Sequence, residues 1–148
     1  MEPVAEIESQ WLAELASWLE IPSVSADAAY RDDVLKAGNW VRDFVTSAGG
    51  RAEVVDWHGQ PLVVGEVRAS GGAEAAPTVL CYGHFDVQPA EPLELWESPP
   101  FEPAVRDGWL YARGAADDKG QFFMLLKAAE QLAEVEELPV NVRFLCDG

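Results

Sequence analysis

The chain has 148 residues, of which 49% are hydrophobic and 24% charged, a composition that excludes a disordered tail and supplies enough apolar side chains for one core. Its formal net charge of −16 disfavours binding to nucleic acids and to anionic membranes, so we expect neither as a partner. No basic amino-terminal region precedes an apolar stretch, and no window reaches about 18 uninterrupted apolar residues, which predicts a cytoplasmic protein.

Two helices and two strands are predicted in the first half of the chain. The first helix runs roughly from Val4 to Glu20, and one face carries the apolar residues Ile7, Trp11, Leu12, Leu15 and Leu19. The second runs from about Tyr30 to Ala48 and ends at Gly49-Gly50, with an inward face formed by Val34, Ala37, Val41, Phe44 and Val45. Strands follow at about Ala52–Trp57 and Leu62–Val67.

The second half of the chain predicts a strand–helix–strand unit of parallel type. Its elements are a strand at Thr78–Tyr82, a helix at about Lys119–Val135 and a strand at Val140–Cys146. The continuous apolar run through residues 77–82 predicts that its first strand is buried on both faces. Between the first strand and the helix, Asp107-Gly108 predicts a tight turn joining two extended segments.

His84 and Asp86 follow the first strand of this unit. Because side chains alternate along a strand, residues two apart point the same way, and Asp86 is placed to accept a hydrogen bond from the His84 ring. A carboxylate on the second ring nitrogen is typical of a metal-binding histidine. By itself the pattern is a weak signal for a metal and is more typical of a histidine that is hydrogen-bonded at the end of a strand.

Asp117 and Asp118 come directly before the predicted helix. Carboxylates at this position commonly cap the free N–H groups of the first turn, with no metal involved. In open α/β sheets, however, ligand sites lie outside the carboxyl ends of the strands, and both acidic segments belong at that edge. Lys119 lies in the first turn of this helix. A solvated side chain fits this position at least as well as a partner of these carboxylates.

Several linked motifs resemble the zinc metallopeptidase family of carnosinase, carboxypeptidase G, aminoacylase and succinyl-diaminopimelate desuccinylase. The motifs are His84 to Pro89, Trp96 to Phe101, Arg106 to Gly108, Ala112 to Gly120 and, after the first helix, Ile21 to Ser25. The resemblance covers nearly the whole chain. It implies a partial three-layer α/β/α zinc-exopeptidase fold with a mixed, mainly parallel sheet and without the lid domain of that family.

The resemblance also implies the roles of individual residues. His84 would bind one zinc ion, Asp117 would bridge two, and Asp86, the residue we assign to catalysis, would support His84. It further implies a cis peptide bond between Asp117 and Asp118. The second histidine, His58, lies in a turn-like cluster, and we expect it to be a solvated loop residue.

Residues 1–148 correspond by this resemblance to the amino-terminal part of the catalytic domain, truncated before an expected Glu-Glu pair. We therefore expect the isolated chain to bind zinc weakly, to be inactive and to self-associate through an exposed sheet edge or apolar face. The substrate of the parent would be a peptide, with Asp118 and Gln88-Pro89 favouring a dipeptidase, or an N-acyl amino acid. A non-catalytic scaffold domain is the third hypothesis.

Overall fold

The computed structural model describes residues 4–148, with side chains from residue 9 onward. The helices are α1 (Val4–Leu19), α2 (Arg31–Ser47) and α3 (Lys119–Glu134). The strands are β1 (Arg51–Trp57), β2 (Gln60–Val67), β3 (Thr78–His84), β4 (Ala104–Arg106), β5 (Trp109–Tyr111) and β6 (Asn141–Asp147). Every helix and strand predicted from the sequence is present, with bounds shifted by at most two residues.

The main sheet has four strands in the order β1-β2-β6-β3. β1 pairs antiparallel with β2, and β2 pairs antiparallel with β6, whereas β3 and β6 are parallel. The predicted parallel unit of β3, α3 and β6 is confirmed, and the sheet is mixed as expected. Antiparallel pairs outnumber the parallel pair in this part of the sheet because β1 and β2 form a hairpin that joins β6 from the other side.

The core lies between the three helices and one face of this sheet. It contains buried side chains from every helix and from the two central strands, including Trp18, Val41, Phe122, Val63 and Phe144. All five residues predicted to face inward from α2 are buried. In α1 the prediction is wrong for Leu12, which is 38% exposed, and the side chain of Ile7 lies outside the described residues.

The strand β3 corrects one expectation. Leu80 is 63% exposed and Tyr82 is 62% exposed, so the prediction of a strand buried on both faces is wrong for this chain. The reason is position: β3 lies at the edge of the sheet, and α1, α2 and α3 cover only the opposite face. An apolar composition suited to a central strand thus stands at an open edge.

The strands β4 and β5 form a separate hairpin joined by the predicted tight turn. Asp107 has φ 51° and Gly108 has φ 80°, so both central residues adopt the left-handed conformation that a two-residue hairpin loop requires.

Candidate metal centre

His84 and Asp86 point the same way because the residue between them is anchored in the core. Phe85 is fully buried, and its backbone N–H donates to the carbonyl oxygen of Asp147 at 2.8 Å. A Cβ atom at Gly148 would lie 2.2 Å from the Phe85 ring, so the ring needs a glycine there. With Phe85 directed inward, its two neighbours are directed away from the core.

The His84 ring is held by Asp86. Nδ1 lies 2.9 Å from Oδ1 of Asp86 and 3.2 Å from the Asp86 carbonyl oxygen. Both oxygens are acceptors, so they favour the tautomer in which Nδ1 carries the proton and donates it. In that tautomer the lone pair of the neutral ring is on Nε2, the nitrogen that faces away from Asp86. The predicted pairing of these two side chains is therefore present.

Asp117 approaches the other side of the same ring. Its Oδ1 lies 3.1 Å from Nε2 of His84, and its side chain is 77% exposed. A neutral Nε2 and a carboxylate oxygen both offer lone pairs, so at this distance a proton or a cation has to lie between them. Burial lowers the pKa of His84, but the hydrogen bonds and charge of Asp86, together with Asp117, outweigh burial and raise that pKa overall.

Asp118 joins the start of α3 to the end of β3. Its Oδ2 accepts the backbone N–H of His84 at 3.3 Å, and it makes no capping bond to its own helix. The peptide bond between Asp117 and Asp118 is cis, as predicted. Gly83 allows this close approach, because a Cβ atom there would lie 2.6 Å from Asp118 Oδ2 and 2.5 Å from the Phe122 ring.

Lys119 is not a solvated residue, so of the two alternatives left open by the sequence, the solvated lysine is wrong. Its side chain is fully buried, and Nζ donates to the carbonyl oxygens of Trp18 at 3.0 Å and Ile21 at 2.8 Å. Burial lowers the pKa of Lys119 to about 7. This lysine ties α3 to the end of α1 and holds the segment that begins at Ile21.

The sequence analysis did not identify Asp147 as a neighbour of His84. It is paired in register with His84 at the ends of the two parallel strands, and its Oδ1 is buried with no hydrogen-bond partner among the described residues. The charge of Asp147 and a hydrogen bond to it raise the pKa of Tyr82. The predicted parallel pairing of the two strands could have indicated this residue, because His84 and Asp147 lie at the same end of the β3–β6 pair.

The second histidine lies elsewhere. His58 is exposed in the turn between β1 and β2, with φ 55°, as predicted for a loop residue. Among the residues that the structure describes, no group of three or more His, Cys, Asp or Glu side chains is arranged to hold a metal ion by itself. His84 Nε2 and the Asp117 carboxylate are ligand types that zinc accepts, but a tetrahedral site takes four. The cluster therefore fits one part of a zinc site.

The chain is similar in sequence to one family of peptidases and to several known enzymes. Residues 80–148 match the sequence model of peptidase family M20/M25/M40. The chain is 33% identical to the Cys-Gly metallodipeptidase dug1 of Schizosaccharomyces pombe, over 99% of this chain and 33% of the relative. It is also 53% identical to a succinyl-diaminopimelate desuccinylase of Colwellia psychrerythraea, over 38% of this chain and 14% of that enzyme.

The fold was compared with solved structures. The crystal structure of human carnosine dipeptidase 1 superimposes with a TM-score of 0.85 and 30% sequence identity, over 95% of this chain and 32% of that one. The chain thus spans about a third of the length of the dipeptidases that it matches from end to end.

Proposed function

We propose, from the membership of this chain in peptidase family M20/M25/M40, that residues 1–148 form the amino-terminal part of the catalytic domain of a zinc metallopeptidase. The observation that carries the proposal is the convergence of His84, Asp86 and Asp117, in which an oriented imidazole nitrogen faces a carboxylate 3.1 Å away. The similarity to a Cys-Gly metallodipeptidase and to carnosine dipeptidase 1 supports small peptides as the substrate class.

Each of the three residues has a separate role in this proposal. His84 binds zinc through Nε2, Asp117 binds it through its carboxylate, and Asp86 holds the ring in the tautomer that leaves Nε2 free. When bound, a zinc pair lowers the pKa of a water molecule and polarises the scissile carbonyl. Asp118 takes no part in this ligand set, since its oxygen accepts the backbone N–H of His84.

The complete reaction needs further groups in addition to His84, Asp86 and Asp117. Hydrolysis needs a carboxylate base that takes the proton of the attacking water and delivers it to the departing amine. Asp86 is occupied by His84 and Ser25, and Asp117 is proposed as a ligand. We therefore propose that the base and the other ligands, including a Glu-Glu pair, come from polypeptide outside residues 1–148. The isolated chain is then inactive and binds zinc weakly.

A specific observation favours a second candidate of the same chemistry. The strong local identity to a desuccinylase points to N-acyl amino acids as an alternative substrate class. Both reactions cleave an amide bond, so the site described above serves either. The family resemblance of Asp118 and Gln88-Pro89 favours the dipeptidase.

The test compares two histidine variants of the full-length protein. His84→Ala is expected to lose zinc and the hydrolysis of Cys-Gly, whereas His58→Ala, which changes the other histidine of this segment, keeps both. Zinc content is measured by atomic absorption, and activity is measured on Cys-Gly and on an N-succinyl amino acid. A His84→Ala variant with full zinc content and full activity would refute the proposal. Preference for the succinyl substrate would select the deacylase.

We further propose that the isolated chain self-associates through the open edge of β3, where Leu80 and Tyr82 are exposed.

Nucleic acids and anionic membranes are not proposed as partners because of the net charge of −16, and the proposed location is the cytoplasm. None of the helices described is both long enough and apolar enough to cross a bilayer.

A further inference from the structure

We infer that Ser25 is a positioning residue for the proposed metal centre: it fixes the carboxylate of Asp86 and, through it, the tautomer of His84. The inference deepens the proposed function and rests on it. Ser25 Oγ donates to Asp86 Oδ2 at 2.5 Å, and the two residues are 61 positions apart in the sequence. The other oxygen of the same carboxylate, Oδ1, accepts from His84 Nδ1 at 2.9 Å.

The two contacts together determine the orientation of the carboxylate. With a hydrogen-bond donor on each oxygen, rotation of the group would break both bonds. Without the Ser25 hydroxyl, only the His84 contact resists rotation, and Asp86 holds the ring less firmly. A ring that is less firmly held can move its proton from Nδ1 to Nε2, because the hydrogen bond on one ring nitrogen decides which of them is protonated. The Nε2–H form cannot bind a metal through that nitrogen.

The backbone around Ser25 is held in place by contacts that do not involve its hydroxyl. Ser23 is fully buried, its Oγ donates to the Phe85 carbonyl oxygen at 2.5 Å, and its own carbonyl oxygen accepts the N–H of Val87 at 2.9 Å. These two bonds lie on either side of Asp86 in the sequence. The buried Lys119 adds a third restraint by donating to the carbonyl oxygen of Ile21. Ser25 is thus presented to Asp86 by a rigid segment.

The local structure does not use the Ser25 hydroxyl. The short 3-10 helix at Ala28–Tyr30 is capped by Asp27, whose side chain accepts the N–H of Ala29 at 2.9 Å. A serine in this loop would commonly serve as such a cap, but here the cap is already supplied. The hydroxyl is directed to the carboxylate instead, and this assigns Ser25 to the site.

The test uses the fact that the 148-residue chain contains only two histidines. Long-range ¹H–¹⁵N correlation spectra distinguish the two tautomers of each ring and need no metal. Spectra are recorded at one fixed pH at which both rings are neutral, and exposed His58 is the internal reference. The variants are Ser25→Ala, Ser25→Thr and Ser25→Val. The threonine and valine side chains have the same shape and differ in the hydroxyl. Ser47→Ala is the control, because it removes a hydroxyl that bonds to the Phe44 carbonyl oxygen at 2.8 Å, outside the site.

Without zinc, Asp117 favours a proton on Nε2 and Asp86 favours a proton on Nδ1. We expect the Nδ1–H share of His84 to be larger in the wild-type chain and in Ser25→Thr than in the variants without the hydroxyl. In Ser25→Ala and Ser25→Val we expect the ratio of Nε2–H to Nδ1–H to rise about two- to tenfold, the factor that corresponds to one net hydrogen bond. His58 and the Ser47→Ala variant should be unchanged. An unaltered His84 pattern in a folded Ser25→Val variant would overturn the inference. If both variants without the hydroxyl unfold while Ser25→Thr stays folded, the role is structural and the inference also fails.

These outcomes are separable from the test of the proposed function. The tautomer spectra report on Ser25, Asp86 and His84 in the absence of zinc, whereas the zinc content of His84→Ala reports on metal binding. In the full-length protein, Ser25→Val is expected to weaken zinc binding and Ser25→Thr to restore it. Normal zinc binding through His84 together with unchanged tautomers in Ser25→Val would leave the function standing and remove the role of Ser25.

Discussion

Oδ1 of Asp117 lies 3.1 Å from Nε2 of His84, although the two residues are 33 positions apart in the sequence. The parallel pairing of β3 with β6 ends at His84, and α3 begins immediately after Asp118. The start of the crossover helix is thereby brought against the end of the first strand. Two side chains that can bind a metal meet at this edge because the backbone of a strand–helix–strand unit leads them there.

Replacing Asp86 by asparagine tests how strongly the ring depends on its partner. The amide keeps the shape of the side chain but loses the charge that favours a proton on Nδ1, so Asp86→Asn is expected to weaken zinc binding by the full-length protein about 10- to 100-fold. Competition with a chelator measures the affinity. Asp56→Asn is the control, since Asp56 accepts the N–H of Gly59 in a distant turn. Equal zinc affinities in the two variants would argue against the role of Asp86.

Gly83→Ala tests the close contact between β3 and α3. The new Cβ atom would lie 2.5 Å from Phe122 and 2.6 Å from Asp118, so both neighbours must move relative to it, and we expect a loss of about 1–3 kcal/mol of unfolding free energy. Gly65→Ala is the matched control, because its nearest neighbours are side-chain methyl groups at 3.2 and 3.3 Å. Urea denaturation measures both. A Gly83→Ala variant that is as stable as Gly65→Ala would contradict the geometry.

Lys119→Met tests the buried lysine. Methionine has a similar length but leaves the carbonyl oxygens of Trp18 and Ile21 without this donor, so the variant is expected to lose about 1–3 kcal/mol of unfolding free energy. Lys36→Met removes a lysine from an exposed position of α2 and should change stability little. Thermal and urea unfolding of the two variants give the comparison. A stabilised Lys119→Met variant would show that desolvation of the ammonium group outweighs its hydrogen bonds.

Leu80→Lys tests the proposed association through β3. A charged side chain on an edge strand disfavours pairing with a second copy, so the variant is expected to remain monomeric at concentrations at which the wild-type chain associates. Sedimentation velocity measures the distribution. Leu95→Lys changes an even more exposed leucine, at 77% against 63%, that lies outside the sheet, and it should associate like the wild type. Monomeric wild-type chain across the concentration range would remove the proposal.

Contacts that depend on local geometry could be predicted from the sequence. The pairing of His84 with Asp86 follows from the two-residue period of a strand, and the buried face of α2 follows from the helical period. The turn at Asp107-Gly108 follows from the conformational freedom of these residue types. In each case the interacting groups lie a few residues apart, so the backbone period alone fixes their relation.

The distant contacts of Lys119 and Ser25 and the position of β3 in the sheet were not predicted from the sequence. The sequence left open whether Lys119 is solvated or a partner of the carboxylates, because its position in the first turn says nothing about the end of α1, which covers it. The bond from Ser25 to Asp86 joins residues 61 positions apart, and no local pattern indicates it. The apolar composition of β3 was correct for a strand but did not reveal that the strand lies at an edge of the sheet.

The sequence by itself determined the order and type of the elements, the shared orientation of His84 and Asp86, and the placement of Asp117 at the start of a helix. These depend on backbone periods and on turn chemistry, which act over a few residues. The resemblance already implied that Asp117 and His84 share one site, and the tertiary structure gave the direct contact between them. Only the tertiary structure decided that Ser25 secures Asp86 and that Lys119 is buried. Each of these depends on how separate elements pack against one another, and packing is set by the whole chain.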